Sequence, residues 1–244
     1  MEKTNWKINV LLPGNWRGAT TVLLSNGHRH AVVDTGMPHE AHRLIEALER
    51  RGLYPEDVDF VLSTHFHVDH VLNNSLFPRS TMIGSQESYD WCSSLYSDLL
   101  DQQNWERLVL KYYPETFDYD RARDLMARLR QFALRWWDPK RLGAISQYRW
   151  VEKNALPEGI ACVMTGGHVP GHVSLRVASN GNTAIVAGDA LLTRAENQPV
   201  LTMIAHKHAQ MVADRGYILS LGGLVVPGHD VAFQNEESDP DPSS

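Results

Sequence analysis

Residues 63–70 read STHFHVDH, and this segment decides how the rest of the chain is interpreted. It follows an apolar run and holds three imidazoles and one carboxylate in the pattern H-x-H-x-D-H. Alternate residues of an extended segment project to the same side, so His65 and His67 can bind one ion. Asp69 and His70, at the start of a predicted helix, can face a second ion. A solvated loop that is rich in histidine is the alternative interpretation.

Four ligands would leave two ions under-coordinated, so this interpretation requires further ligands at the ends of other strands. Three later segments supply them, and each follows an apolar run: TGGHVPGH (165–172), GD (188–189) and PGH (227–229). A glycine directly precedes the candidate ligand in each segment, and glycine lets the backbone turn tightly near an ion. The candidates that we select from these segments are His172, Asp189 and His229.

The hydrophobic pattern predicts a strand-rich segment on each side of a helical one. Residues 86–150 hold most of the aromatic side chains, at helical spacing, and predict two or three helices broken near Pro114 and Pro139. We interpret these aromatic side chains mainly as a packed core, with contact to a ligand as the alternative. The predicted strands are 8–12, 20–24, 31–34, 59–63, 81–84, 160–164, 173–178, 183–187 and 224–226, and the other predicted helices are 38–51 and 206–220.

Bulk properties limit the classes of function. The net charge of −6 argues against nucleic acid as the main partner, because phosphate binding needs a basic surface. Cys92 and Cys162 form no disulfide framework and predict thiols in a reducing compartment. The N-terminal residues show no apolar signal segment, and no apolar run is long enough to span a membrane, so we expect a cytoplasmic protein.

The H-x-H-x-D-H segment, the three later candidates and the sequence VDTG at residues 33–36 together resemble the metallo-β-lactamase fold superfamily. These matches extend over residues 32–230, which is nearly the whole chain. The resemblance implies an α/β fold, an αββα sandwich of two facing sheets with helices outside. It implies a single domain over residues 1–235 with a helical insert at about 86–150. Residues 236–244, which are acidic and rich in Pro and Ser, are expected to form a disordered tail.

The resemblance also implies a dinuclear site for two divalent ions, with zinc expected and manganese or iron as alternatives. Its implied ligands are His65, His67 and His172 for the first ion, Asp69, His70 and His229 for the second, and Asp189 as a bridge together with a hydroxide. His168 is expected beside the ligands or facing the substrate, with no role as the alternative. Asp34 is expected to orient a ligand histidine through a hydrogen bond, and capping the next helix is the alternative.

Such a site implies a metal-dependent hydrolase in which hydroxide held by two ions attacks a carbonyl or phosphorus centre. Asp69 is the candidate catalytic residue, because a ligand with a spare oxygen can orient the nucleophile or accept a proton. His67 stands where the di-iron flavoprotein branch has a carboxylate, and Asp189 is a bridge that the true β-lactamases lack. Leu192 stands where many acyl-homoserine lactonases have a tyrosine.

We therefore expect hydrolysis of a lactone, ester or thioester in a small molecule that has an apolar part. The aromatic insert would form either an apolar lid or the surface of a homodimer. An N-acyl homoserine lactonase and an iron-dependent oxygenase or redox enzyme are the alternative activities. Metal-dependent binding without catalysis also stays open.

Overall fold

Short runs of β-branched and aliphatic residues form the first sheet, which has six strands in the order β1-β2-β3-β4-β5-β6. The computed structural model describes residues 5–15, 18–101, 103, 105–116, 118–179, 181–194 and 205–235. Strands β1 to β3 are antiparallel, and β3 to β6 are parallel. The strands are β1 (Lys7–Leu12), β2 (Thr21–Ser25), β3 (His30–Val33), β4 (Phe60–Leu62), β5 (Thr81–Gly84) and β6 (Tyr148–Trp150).

A second sheet of five strands has the order β11-β10-β9-β8-β7. Its central strands β9 and β10 are parallel, and the other pairs are antiparallel. The predicted hairpin is present, since Ser179 pairs with Asn182 at the turn between β8 and β9. The strands are β7 (Ile160–Met164), β8 (Val173–Ser179), β9 (Asn182–Gly188), β10 (Gly223–Pro227) and β11 (Phe233–Asn235).

The strand period of two divides the apolar side chains between two layers of core. Leu24 and Leu62 of the first sheet share one buried cluster with Val177 and Val186 of the second, so the two sheets pack face to face. Val61, which neighbours Leu62 in β4, points to the opposite face and packs in a different cluster.

Helices cover the two outer faces. The outer face of the first sheet shares its cluster with α1 and with the helices of the predicted insert. The outer face of the second sheet packs on α6 through Ile185, Val225 and Ile218. The helices are α1 (Ala41–Glu49), α2 (Val68–Val71), α3 (Gln86–Asp101), α4 (Leu108–Tyr112), α5 (Tyr119–Trp136) and α6 (His208–Ser220), with 3-10 turns between several of them. This four-layer arrangement confirms the αββα prediction.

The insert packs as an integral part of the core. Tyr96, Tyr112 and Tyr113 are buried in the same cluster as Val61 and Met82 of the first sheet. The interpretation of the aromatic residues as core is therefore confirmed for these three. Among the described residues, no helix combines the length and the apolar character needed to cross a bilayer.

Two strands were not predicted. β6 lies at the end of the region expected to be helical, and β11 follows the last predicted strand. Each has three residues, which is too short for an alternating pattern, and each lacks the continuous apolar run that marks the equally short β4. The final helix begins at His208 rather than at residue 206. The predicted disordered tail, residues 236–244, lies outside the described residues.

Replacing Leu95 by alanine tests whether the insert shares one cooperative core with the first sheet. Leu95 is fully buried on α3, so we expect the free energy of unfolding to fall by about 2–5 kcal/mol in urea titrations. Leu110→Ala on α4 is the control, because Leu110 is 56% exposed and its loss should change stability by less than about 0.5 kcal/mol. Separate unfolding transitions for insert and sandwich would contradict a shared core.

Candidate metal centre

The candidate ligands lie at one edge of the sandwich, Asp69 and His70 in the short helix α2 and the others in loops. The carboxyl ends of the parallel strands β3 and β4, and of β9 and β10, open at this edge. Backbone hydrogen bonds fix the loops to one another: Val173 N donates to Thr64 O at 2.9 Å, and His229 N donates to Leu192 O at 2.8 Å. The chain therefore brings together residues that are distant in sequence.

The first group consists of His65, His67, His168 and Asp189, all of them buried. His67 Nδ1 lies 3.0 Å from His65 Nε2 and 3.1 Å from His168 Nε2. Asp189 Oδ2 lies 3.3 Å from His168 Nε2 and 3.8 Å from His65 Nε2. Nitrogens bound to one tetrahedral ion at about 2.0–2.1 Å lie about 3.3 Å apart, so this spacing fits an ion at the centre of the group.

The second group consists of Asp69, His70 and His229. Asp69 Oδ2 lies 3.4 Å from His229 Nε2 and 4.0 Å from His70 Nε2. Asp189 Oδ1 lies 3.3 Å from the same two nitrogens. One carboxylate therefore presents Oδ2 to the first group and Oδ1 to the second, which is the position of a bridging ligand.

Two buried polar atoms of the ligand groups are also placed so that they could bind a cation. Asp189 Oδ1 and His70 Nε2 are buried and have no hydrogen bond within the part of the chain that the structure describes, a situation that costs free energy unless another group satisfies them. A divalent ion between these atoms would satisfy both. The donor set, imidazoles with carboxylates, suits zinc, iron or manganese.

The pKa values divide the imidazoles into two kinds. Burial lowers the pKa of His67 to about 4 and holds those of His65 and His168 well below the usual range, so each offers a lone pair at neutral pH. Burial also opposes the charged form of His229, but Asp189 outweighs it and raises the pKa of His229 to about 9. Without an ion, the second group therefore carries protons where a cation would bind.

The pKa of Asp189 supports the same picture. Burial alone would raise it, but the nearby His229 and His70 hold it well below its usual range. Asp189 is thus an anion between the two groups, and it can attract a cation on either side.

Asp34 orients one ligand of each group. Its carboxylate lies 2.8 Å from His70 Nδ1 and accepts hydrogen bonds from Thr64 N and Thr64 Oγ1, each at 2.8 Å. Thr64 Oγ1 in turn lies 3.1 Å from His65 Nδ1. Both histidines are thereby held with Nε2 directed toward the carboxylate of Asp189. The expected hydrogen bond between Asp34 and a candidate ligand histidine is present, whereas Asp34 does not cap the next helical turn, since Met37 precedes it.

His172 lies outside both groups, which differs from the sequence-based ligand set. Its Nδ1 lies 2.8 Å from Thr165 Oγ1, and its Nε2 accepts a hydrogen bond of 3.0 Å from Asp189 N. Burial lowers its pKa to about 3, so it remains a neutral acceptor. With both ring nitrogens occupied, His172 supports the backbone of Asp189, and His168 takes the place expected for it.

Sequence reasoning chose His172 over His168 from the family resemblance, and the local sequence does not distinguish them, because a glycine precedes both histidines of TGGHVPGH. The distinguishing fact is that His172 directly precedes β8 and lies beneath Gly188, where an added Cβ would come 2.8 Å from His172 Nε2. The other six predicted ligands lie in the two groups.

Solvent reaches the site from the side of the second group. The side chains of Asp69 and His229 are 23% and 10% exposed, whereas that of His70 is fully buried. A substrate would therefore approach over Asp69 and His229.

Gly228→Ala should disturb the bridging carboxylate. A Cβ at position 228 would overlap Asp189 Oδ1 and the backbone of Gly188, so we expect the bound-metal content to fall below that of the parent protein. Gly216→Ala on α6 is the control, because nothing lies within 4 Å of its Cβ and alanine favours the helix by about 1 kcal/mol. Equal metal contents in both variants would contradict the placement of Asp189.

Paired glutamine substitutions distinguish His168 from His172. We expect His168→Gln to lose one ion per chain, because it removes a nitrogen of the first group. His172→Gln should keep both ions, because a glutamine oxygen can still accept from Asp189 N. Elemental analysis after dialysis measures the difference, and the reverse result would restore His172 as the ligand.

Known proteins are similar to this chain in sequence. A protein named metallo-β-lactamase domain-containing protein 1 from Xenopus laevis is 26% identical over 218 residues, which cover 88% of this chain and 72% of that protein. The mouse protein of the same name is 39% identical over 82 residues, and the match covers 34% of this chain but only 30% of the mouse protein.

Solved structures share the fold. A probable metal-dependent hydrolase from Staphylococcus aureus superimposes with a TM-score of 0.65 at 17% identity, covering 97% of this chain and 95% of that one. An N-acyl homoserine lactone hydrolase with N-hexanoyl-L-homoserine at its catalytic metal centre has a TM-score of 0.61 at 16% identity, covering 94% of each chain. The sequence model of the metallo-β-lactamase superfamily matches residues 14–233. The chain belongs to the metallo-β-lactamase superfamily.

Proposed function

We propose that the protein is a metal-dependent hydrolase that cleaves a carbonyl-type bond in a small molecule. The bond is that of a lactone, an ester or a thioester. The observation that carries this proposal is the position of Asp189, whose two oxygens each face one of two ligand groups. The proposed ligands are His65, His67 and His168 for the first ion, Asp69, His70 and His229 for the second, and Asp189 as the bridge.

Two divalent ions would lower the pKa of water and polarise the oxygen of the scissile carbonyl. The chain's own residues would hold and orient the reactants. Asp69 is the proposed catalytic residue, because it belongs to the second group and is its most exposed side chain. A carboxylate in that position can accept a hydrogen bond from the attacking water and receive its proton.

No activated thiol competes with water as the nucleophile among the described residues. Cys92 is fully buried, and burial raises the pKa of its thiol far above the usual range. Cys162 lies in β7, and burial raises its pKa to about 11. Both thiols therefore stay protonated at neutral pH.

The aromatic residues of the insert support a substrate with an apolar part. The ring of the half-buried Trp91, on α3, lies 6.2 Å from that of His67, and the ring of Tyr113 lies 5.8 Å from Trp91. Trp91 therefore offers an apolar surface beside the first group, and the buried Tyr113 packs against it. The similar fold of a lactonase with an acyl-homoserine product at its metal centre makes acyl lactones the first substrates to test.

Zinc is the proposed native metal. The ligand set of imidazoles and carboxylates suits it, and a structurally similar lactonase is named as a dizinc protein, with a TM-score of 0.56. Manganese and iron remain alternatives for the test below. A cytoplasmic location and a homodimer through the insert stay predictions.

Hydrolysis can be measured as proton release near neutral pH with zinc- or manganese-loaded protein. The panel holds short- and long-chain acyl lactones, an aryl ester, a thioester, a phosphodiester and a β-lactam. We expect turnover of a lactone, ester or thioester, with a long acyl chain preferred because of the apolar surface of Trp91 beside His67. Asp69→Ala should lower the rate by at least about 10²-fold.

Asp90→Ala is the matched control, because Asp90 is an exposed carboxylate on α3 outside both ligand groups, and its rate should be unchanged. Turnover of the phosphodiester alone would contradict the substrate class. Oxygen consumption by the iron-loaded protein, without hydrolysis of any compound in the panel, would contradict hydrolysis and favour the redox alternative.

A further inference from the structure

Four of the five proposed ligand histidines have their second ring nitrogen close to a polar partner. His65 Nδ1 faces Thr64 Oγ1, His70 Nδ1 faces Asp34, and His229 Nδ1 faces the carbonyl oxygen of Asn15. These three partners lie in the strands and loops of the sandwich. The fourth partner comes from the helical insert: the hydroxyl of Tyr113 lies 3.3 Å from His67 Nε2.

Tyr113 is held in place by the end of α4. It directly follows the last residue of that helix, and its backbone N–H donates to Val109 O at 2.8 Å. Its side chain is only 2% exposed, and its ring packs edge-on to Trp91. The hydroxyl has no other hydrogen-bond partner among the described residues. Its position next to His67 is therefore set by the packing of the insert.

The tautomer of His67 decides which atom is the donor in the contact between His67 Nε2 and the Tyr113 hydroxyl. His67 presents Nδ1 to the nitrogens of His65 and His168, so Nδ1 carries the lone pair that would bind the ion. A neutral imidazole with its lone pair on Nδ1 carries its proton on Nε2. Nε2–H can then donate to the oxygen of Tyr113, and this hydrogen bond favours the tautomer that binds a metal.

We propose that Tyr113 is a positioning residue, whose hydroxyl holds His67 in the tautomer and ring orientation that bind the first ion. The insert and the first ion then stabilise each other, because each is in contact with the same imidazole. This inference rests on the two-ion site of the proposed function. It adds a role for the insert that is separate from contact with the substrate.

Tyr113→Phe tests the hydroxyl while keeping the packing of the ring. Tyr112→Phe is the matched control: Tyr112 is the preceding residue, is also buried, and its hydroxyl donates to Asp98 at 2.7 Å, away from both ligand groups. Each protein is stripped of metal and titrated with cobalt(II), whose absorption spectrum reports the ligands of each ion.

We expect Tyr113→Phe to weaken the binding of one of the two ions by about 10–100-fold and to change its cobalt spectrum. Tyr112→Phe should leave the affinity and the spectrum unchanged. Hydrogen exchange gives a second measurement: cobalt should slow exchange of the amides of α4 in the parent protein, and less so in Tyr113→Phe.

The outcomes separate this inference from the proposed function. Two ions bound with equal affinity and equal spectra in the parent protein and in Tyr113→Phe would overturn the role of Tyr113 and leave the site intact. Fewer than two ions bound by the parent protein would overturn the site itself, and the inference with it. Equal weakening in both tyrosine variants would show a general packing effect and would also overturn the inference.

Discussion

The carboxylate of Asp34 is the constraint on which both ligand groups depend. It is buried, and it joins the end of β3 to the loop after β4 through Thr64 and His70. Its backbone has φ 51°, a conformation that costs a residue with a side chain of the order of 1–3 kcal/mol. The three hydrogen bonds that it accepts offset that cost. Thr64 Oγ1, which donates to Asp34, also lies next to Nδ1 of His65, so Asp34 helps to position a residue of the first group as well.

The sequence predicts most of the sandwich because its strands carry a strong local signal. Alternating apolar residues mark strands that are buried on one or both faces, and the turn residues between them mark their ends. The strands that escape prediction, β6 and β11, have three residues each and owe their conformation to the neighbouring strand. The stacking of two sheets came from the resemblance to a family, because pairing between distant strands leaves no local pattern.

Prediction of the site residues from the sequence is limited in the same way, because some of them are distinguished only by the packing of distant segments. H-x-H-x-D-H is predictable because its members are neighbours in sequence, and Asp189 and His229 because each directly follows a glycine at the end of a predicted strand. The choice between His168 and His172 depends on how the loop after β7 turns before β8, and spacing does not reveal it. Tyr113 lies in a segment with many aromatic residues, so only the packing of α4 distinguishes it.

The order in which the candidate ligands are synthesised has a consequence for metal binding. The second group needs both Asp69, just after β4, and His229, just after β10. Asp69 is made early, but the group is complete only when nearly all the described chain has been synthesised and both sheets have docked. A nascent chain therefore carries its H-x-H-x-D-H segment through the synthesis of residues 71–228 without the partners that would complete the proposed second group. An ion at the proposed second group would accordingly be held stably only after His229 has been synthesised and both sheets have docked, so the folded sandwich, rather than the emerging segment, would select the metal.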